Sequence, residues 1–395
     1  MGGPGRPFAV ARWRAGLLLI AALALTVIVG CGSDRPMEAD DEAALTPAQQ
    51  TLAAGCPPCE VELETRLVIT DSAGQGFFDS DAPIVQRDRS GRYYAAPWQS
   101  AELLVFDSTG VQVDLIGRRG QGPGEFEWVI PPTVGPADSL LVWDAALRRT
   151  AVYAPSLEFE RDYRFPFPPV FVFDDGSILV NENIPDPDHI GYPLHVLAPD
   201  GEILRSFGQD PPEFRADQAA QYSRALAVTG EGQLWTSPNA RLELELWDPW
   251  TGEQLRELPT EWSEFRIDES GGREADPRRY EPSTRVTGLI HEPEGVLWVL
   301  LRHAAPDWEP TYGPDEPIPR EGLSLEERER FYQWAVLAAD DASGEILGEG
   351  RFPYPIRMLP GSGFFMSVAR VVGEHVEVEI WEPVLVPPDG SVAEP

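Results

Sequence analysis

The chain has 395 residues, is 42% hydrophobic and carries 12 Trp, 10 Tyr and 17 Phe, enough apolar mass for a large packed core and too much for a disordered polymer. A formal net charge of −34 excludes a nucleic-acid interface, because phosphate recognition needs a basic footprint. All 31 basic residues are arginines, which also excludes a Schiff-base lysine and a P-loop lysine.

The first element in chain order is a targeting segment. Arg6, Arg12 and Arg14 precede LLLIAALALTVIVG. This apolar run of about fourteen residues is shorter than the roughly 20 a membrane-spanning helix requires. It ends in IVGC, with Gly30 before Cys31 and Ile28 and Val29 upstream. These residues resemble the lipobox of bacterial lipoproteins. The resemblance implies cleavage before Cys31 and lipidation of that cysteine. With Gly32 next rather than Asp, it implies no inner-membrane retention signal. The protein is therefore expected in the cell envelope, facing away from the cytoplasm. From Gly32 to Gly55 the chain is acidic and poor in large apolar residues, the composition of a flexible tether.

Cys56 and Cys59 form a CPPC motif. A zinc ribbon needs a second ligand pair, and a c-type haem site needs His where Glu60 stands. A local disulfide in an oxidising compartment is the expectation, with thioredoxin-type redox chemistry as the alternative. The latter wants a helix next, and VELETRLVIT (Val61 to Thr70) reads as a strand.

After this the chain returns repeatedly to one pattern: an apolar stretch, a turn, and three strands separated by turns. The units start at APIVQRD, VIPPTVG, PVFVFDD, RALAVTG, VTGLIHE and PIRMLP. Strands such as LLVWD and VLWVLL are continuously apolar, so both of their faces must be covered. Radial blades packed face to face meet that demand, and closing the ring protects the edges. The expected fold is all-β, a six-bladed β-propeller of four antiparallel strands per blade with one short inserted helix. The stretch GRRGQGPGEFEWVIPPTVGPADSLLVWDAALRRTAVYAPSLEF resembles an NHL-type repeat, with its glycine-rich lead, Phe126, Pro131, Pro132 and the strand ending in Asp144. The body as a whole resembles secreted or lipid-anchored six-bladed propellers. That group spans binding scaffolds, lyases and lactonases, so the resemblance carries a fold and no single activity. Residues 1–30 are assigned as signal peptide, 31–59 as lipidated cysteine and tether, 60–387 as propeller and 388–395 as tail.

IGRRGQGPGEF (Ile116 to Phe126) has the glycines of a phosphate loop, yet EWVIPP follows, where two prolines forbid the helix such a loop needs. It is expected to be a corner between blades. VLVPPDG near the C-terminus is too proline-rich for a regular fourth strand. The segment Val61 to Thr70 is therefore expected to supply the outermost strand of the last blade and close the ring.

Turns between first and second strands and between third and fourth strands are short throughout. The long segments (Ile184 to Pro193, Gln209 to Ser223, Thr260 to Ser283, Ala304 to Gln333) all fall in the other two kinds of connection. They accumulate on one face, which is the expected binding face. In the longest, Ser324 and Glu327 have capping-box spacing, and LEERERFYQWAVL continues with helix formers, a lid or a packing flap.

Arg118, Arg119, Arg224, Arg285 and Arg357 lie at or before inner strands and are the candidate anion-binding residues. Pairing with neighbouring acids is the competing account. His189 and His303 fall where they can reach the channel mouth, whereas His195 and His375 fall in or beside outer strands and His291 has no diagnostic spacing. No metal set, catalytic triad or cofactor motif is recognisable. The favoured function is a monomeric binding module for a protein, glycan or peptide. The alternative is a lactonase-like hydrolase or lyase with a metal at the channel mouth.

Overall fold

The computed structural model describes residues 59–70, 84–97, 99–130, 132–164, 167–208, 223–267, 276–313, 315–319, 322–359, 361–367, 370–372 and 375–387. The signal segment, Cys31, the tether, Cys56 and the C-terminal tail lie outside the described residues.

Strand β1 (Cys59–Thr70) opens the described chain. The next sixteen strands form four antiparallel four-stranded sheets, each a simple meander. The first holds β2 (Ile84–Arg87), β3 (Tyr93–Ala96), β4 (Leu103–Phe106) and β5 (Gln112–Ile116). The second holds β6 (Thr133–Val134), β7 (Leu140–Asp144), β8 (Arg149–Tyr153) and β9 (Phe159–Tyr163). The third holds β10 (Phe171–Val172), β11 (Ile178–Asn181), β12 (Leu194–Leu197) and β13 (Ile203–Phe207). The fourth holds β14 (Arg224–Val228), β15 (Leu234–Pro238), β16 (Leu244–Asp248) and β17 (Glu253–Leu258). Then come β18 (Arg285–Glu292), β19 (Val296–Ala304), helix α1 (Leu325–Phe331), β20 (Tyr332–Asp340) and β21 (Ile346–Phe352). The chain ends with β22 (Ile356–Leu359), β23 (Phe364–Ser367), β24 (Arg370–Val372) and β25 (His375–Val386).

The sequence repeat has a physical counterpart at each hairpin joining a third to a fourth strand. In all five such pairs from β4–β5 to β20–β21 the register slips by one residue close to the turn, for example between Val105 and Phe106 and between Ala338 and Ala339. A β-bulge there coils the outer strand and lets a short turn close. In the β4–β5 turn Asp107 Oδ1 accepts hydrogen bonds from the Thr109 and Val111 amides (2.9 and 3.1 Å), and Gly110 takes the left-handed conformation (φ 82°) that the turn requires.

Alternation explains why the second and third strands are apolar without interruption. In β4, Leu103 and Val105 join the core shared with the second sheet, and Leu104 and Phe106 join the core shared with β22, β23 and β25. Similar cores lie between the second and third sheets, the third and fourth, the fourth and β18–β21, and β18–β21 and the final strands. The succession returns to its start, so the sheets are arranged as a ring and the fold is an all-β propeller.

Six separate sheets are what the sequence calls for. The structure instead has four four-stranded sheets and one nine-stranded sheet, ordered β18-β19-β20-β21-β1-β25-β23-β22 with β24 beside β25. The reason is the length of β1. It pairs antiparallel with β25 from Glu60–Val386 to Thr70–Glu377, and its first two residues also pair in parallel with Gly348 and Glu349 of β21. Glycines allow this approach, since a Cβ at Gly350 would stand 2.2 Å from the Val61 carbonyl oxygen. The N-terminal strand thus lies outermost on β25, as expected, and additionally sews that group to its neighbour. VLV (Val384 to Val386) continues β25 rather than starting a further strand.

The inserted helix also differs from its expected extent. Ser324 caps α1, with its Oγ accepting from the Glu327 amide (3.2 Å) while the Glu327 carboxylate accepts from the Ser324 amide (2.8 Å). The helix stops at Phe331, well short of the run of helix formers. Trp334 to Ala339 are claimed by β20, where they pair with β19 and their side chains alternate between the two cores flanking the sheet. Burial between two cores outweighs local helix preference here.

Candidate functional site

Meander topology puts the turns β2–β3, β4–β5 and their equivalents at one end of the ring and the remaining connections at the other. Among the described residues the connections at the first end are all short, five residues or fewer. The long gaps between strands, from β11 to β12, β13 to β14, β17 to β18 and β19 to β20, open at the second end, where the described residues 182–193, 259–267, 276–284, 305–313 and 322–331 lie, and two cavities are found there.

One cavity, about 600 Å³, is walled by Arg241 and Glu243 from the β15–β16 connection and by Thr260, Trp262, Phe265 and Ile267 from the β17–β18 connection. Arg241 and Glu243 form an ion pair across 3.4 Å. Trp262 anchors the wall: its Nε1 donates to Glu349 Oε2 (3.0 Å), and its ring meets the edge of His303 at 5.2 Å. Arg351 holds both Glu349 and Glu264 (2.6 and 2.5 Å) beneath the same indole.

The second cavity, about 380 Å³, opens between β18–β20 and the start of β22. Arg302, Arg328 and Arg357 line it together with Thr287, Tyr332 and Trp334, while Leu323, Pro355 and Ile356 complete an apolar side. No carboxylate is among the described lining residues. Arg302 lies over the Tyr332 ring at 4.4 Å, a cation–π contact that steadies the guanidinium.

The five arginines singled out by sequence separate into two classes. Arg118 and Arg119 are tied within their own loop, to Glu125 (2.7 Å) and Glu127 (3.0 Å). That glycine-rich loop lies between β5 and β6 as a corner. Its carbonyls at Gln121 and Gly122 accept from Arg149 (3.1 and 2.8 Å), and the Gly122 amide donates to Glu125 Oε2 (2.8 Å), an arrangement the reverse of a phosphate cradle. Arg224 is buried in an ion pair with Glu245 and donates to Thr236 Oγ1 (3.1 Å). Acid pairing therefore accounts for these three. Arg357 lines the smaller cavity, and Arg285 stands opposite Arg302 across the β18–β19 pair, so their side chains leave the same face of the sheet. Sequence reasoning missed Arg302 and Arg328. The first sits in a strand read only for its apolar run, and the second on a helix whose position no spacing reveals.

The histidines form no common centre. His195 Nε2 lies 3.0 Å from the Glu182 carbonyl, which can only accept, so this nitrogen carries the proton. On the neutral ring Nδ1 then accepts from the Ser206 hydroxyl (2.7 Å), and Ser206 Oγ in turn accepts from His189 Nδ1 (2.8 Å). Both ring nitrogens of His195 are committed, and His189 turns toward the outer strand β13 rather than the channel mouth. His303 is buried against Trp262, and burial pushes its pKa down. Among the described residues no cluster of three or more His, Cys, Asp or Glu is placed to hold a metal.

Burial also holds His195 neutral, lowering its pKa from 6.5 to about 4. Below about pH 6.5 the unfolded chain takes up this proton while the folded chain does not until about pH 4, so stability falls as pH drops through that window. His195→Gln removes this contribution. The variant is expected to melt below wild type at pH 7 and to approach it as the pH is lowered to 4, followed as Tm against pH. A gap that widens on acidification contradicts the assignment.

No protein-family model matches the sequence, and no curated protein sequence matches it. Among solved structures the chain is similar to a member of the DUF4221 family from Bacteroides vulgatus, with 14% identity and a TM-score of 0.53 over 83% of this chain and 99% of that one. It is similar to the same degree to a presumed exported protein from Bacteroides fragilis, with 12% identity and a TM-score of 0.53 over 82% and 95% of the two chains. A β-propeller domain from Myceliophteria thermophila aligns with 12% identity and a TM-score of 0.41 over 81% and 99%. At these identities the likeness is one of fold.

Proposed function

We propose that this protein is a lipid-anchored binding module of the cell envelope, held through Cys31, which meets its ligand with the end of the ring that carries the long connections. The observation that carries this reading is the asymmetry of the two ends: among the described residues the long gaps between strands open at one of them, where the two cavities also lie, and the connections at the other are tight turns. A rigid ring displaying irregular loops at one end is a common plan for recognition, because strands fix position and loops supply variable chemistry. The exported structural neighbour agrees with a location outside the cytoplasm. A six-blade count is part of the proposal, supported by the six apolar cores that separate successive groups of strands among the described residues, with β1 joining the last two blades through a seam of two residue pairs. So are the NHL-like character of the first two blades and a Cys56–Cys59 disulfide. Cys59 opens β1 and is buried, which suits a staple at the entrance to the closing strand.

The test uses a photo-crosslinking amino acid at Ile267, on the loop-rich end, and at Thr109, on the opposite end, in the full-length chain in its native membrane. Adducts are expected from position 267 and not from 109, and Cys31→Ser is expected to move the protein from the membrane to the soluble fraction. Adducts from position 109 alone, or from both positions equally, overturn the assignment of the working face.

A further inference from the structure

The larger cavity, about 600 Å³, has a lining of mixed character. Its apolar part is anchored in the core between the fourth sheet and β18–β21: Leu242 and Trp262 belong to that core, and Phe265 packs against it. The backbone that carries the two rings is tied down as well. The Phe265 amide donates to the Trp262 carbonyl (2.9 Å), the Arg266 amide donates to Thr284 Oγ1 (3.0 Å), and the Arg266 carbonyl accepts from the Thr284 amide (2.9 Å). These walls are held by the protein itself, so a ligand does not have to order them. The polar part is built from charges closed into pairs. Arg241 and Glu243 line the cavity as an ion pair (3.4 Å), Arg266 pairs with Glu281 next to it, and Arg351 holds Glu264 (2.5 Å) beneath the Trp262 indole. Glu261 and Ser263, both exposed, add a further acceptor and a hydroxyl to the lining. A paired guanidinium and carboxylate present donors and acceptors side by side with little net field.

We infer that this cavity binds a sugar ring of a neutral glycan. The inference rests on the proposed use of the loop-rich end and adds the chemistry of what is bound there. A pyranose has a face of C–H groups and a rim of hydroxyls that each donate and accept. That is the complement of an aromatic wall flanked by donors and acceptors. The C–H face lies against Phe265 and Trp262, and the hydroxyls accept from Arg241 and donate to Glu243 and Glu261. The volume falls in the range of small-molecule sites. An apolar peptide side chain is a poorer occupant. It would cover the same wall but strip water from the Arg241–Glu243 pair and return no hydrogen bond. A charged ligand of either sign would meet a like charge of that pair at close range.

The experiment applies the detergent-solubilised full-length chain to an array of neutral and anionic glycans, followed by calorimetric titration with the best-retained neutral glycan and with the apolar peptide N-acetyl-leucyl-tryptophanamide. Neutral glycans are expected to be retained, with an affinity that changes little as salt is raised, because no net charge is neutralised. The peptide is not expected to bind. Glu243→Gln and Phe265→Ala are each expected to weaken the glycan about tenfold, the first through a charge-assisted hydrogen bond and the second through the apolar wall. Glu243 is at the surface, so its variant tests binding with the core untouched, and Arg66→Ala, remote in β1, serves as the unchanged reference. Retention of no neutral glycan, peptide binding as tight as glycan binding, or unchanged affinity in both cavity variants overturns the inference. Retention of anionic glycans alone, lost as salt is raised, overturns it as well. Failure of the glycans with crosslinks still forming at position 267 removes this ligand class and leaves the working face in place. Glycan binding that the cavity variants weaken, with crosslinks from position 109 alone, keeps the ligand class and removes the working face.

Discussion

Glu245→Ala is expected to cost about 3–5 kcal/mol of folding stability, because it strands the buried Arg224 guanidinium without its counter-charge. The side chains of Arg224 and Glu245 are 4% and 11% exposed, and their pair is the hub of a wider network. Arg224 also donates to Thr236 Oγ1 (3.1 Å) and to the Gly208 carbonyl, and Trp247 Nε1 donates to the Glu245 carboxylate (2.9 Å). The backbone carbonyl of Arg224 accepts from Asn181 Nδ2 (2.7 Å), so the network reaches from β14–β16 into the preceding sheet. Removing one partner leaves a desolvated charge, whereas removing both as Arg224→Met with Glu245→Leu replaces the pair by apolar volume. The double variant is therefore expected to lose far less than the single one. Denaturant midpoints of the three proteins decide the matter. A Glu245→Ala variant within about 1 kcal/mol of wild type shows that the pair is wet and the network unimportant.

The second large effect is expected at the closing strand. Deleting the residues before Ile84 is expected to abolish cooperative folding, because β1 serves two cores at once. Its Cys59 and Val61 pack with Trp381 and Leu385 in one, and its Ile69 packs with Val378 and Ile380 in the other. The deletion would uncover these surfaces and leave ten paired residues of β25 without partners on that edge. Single substitutions grade the effect. Ile69→Ala is expected to cost about 2–5 kcal/mol, as for other fully buried aliphatic side chains. Gly350→Ala is expected to cost about 1–3 kcal/mol through overpacking against Val61. A truncated chain that still melts cooperatively at the wild-type temperature would mean that closure adds nothing. A cost at Gly350 with none at Ile69 would place the value of β1 in its seam with β21.

The repeat, the ring and its closure were legible in the residues because each has a local signature. Apolar runs such as Leu140 to Val142 demand cover on both faces, and acidic–glycine turns such as Asp107 to Gly110 punctuate them. Val61 to Thr70 alternates in the manner of a strand with no other unit to belong to. The helix was legible at its start, where Ser324 and Glu327 act over one turn. It was not legible at its end, where Trp334 answers to β19 and not to its chain neighbours. The partial fusion of sheets through β21 was also hidden, since nothing in ILGEGRF announces that Gly348 and Gly350 leave room for another backbone.

Chain order alone determined the all-β ring of meandering strands and the end of the ring where extra chain accumulates, because strand pairing and turn chemistry act between neighbours in sequence. Which arginines meet was decided only by the tertiary structure. Arg118 and Arg119, adjacent to acids in sequence, are neutralised in their own corner. Arg302, Arg328 and Arg357, separated by 26 and 29 positions, arrive at one cavity because β19, α1 and β22 pack there. Charge acts through space over distances that sequence does not measure, and that is why the candidate site emerges only from the folded chain.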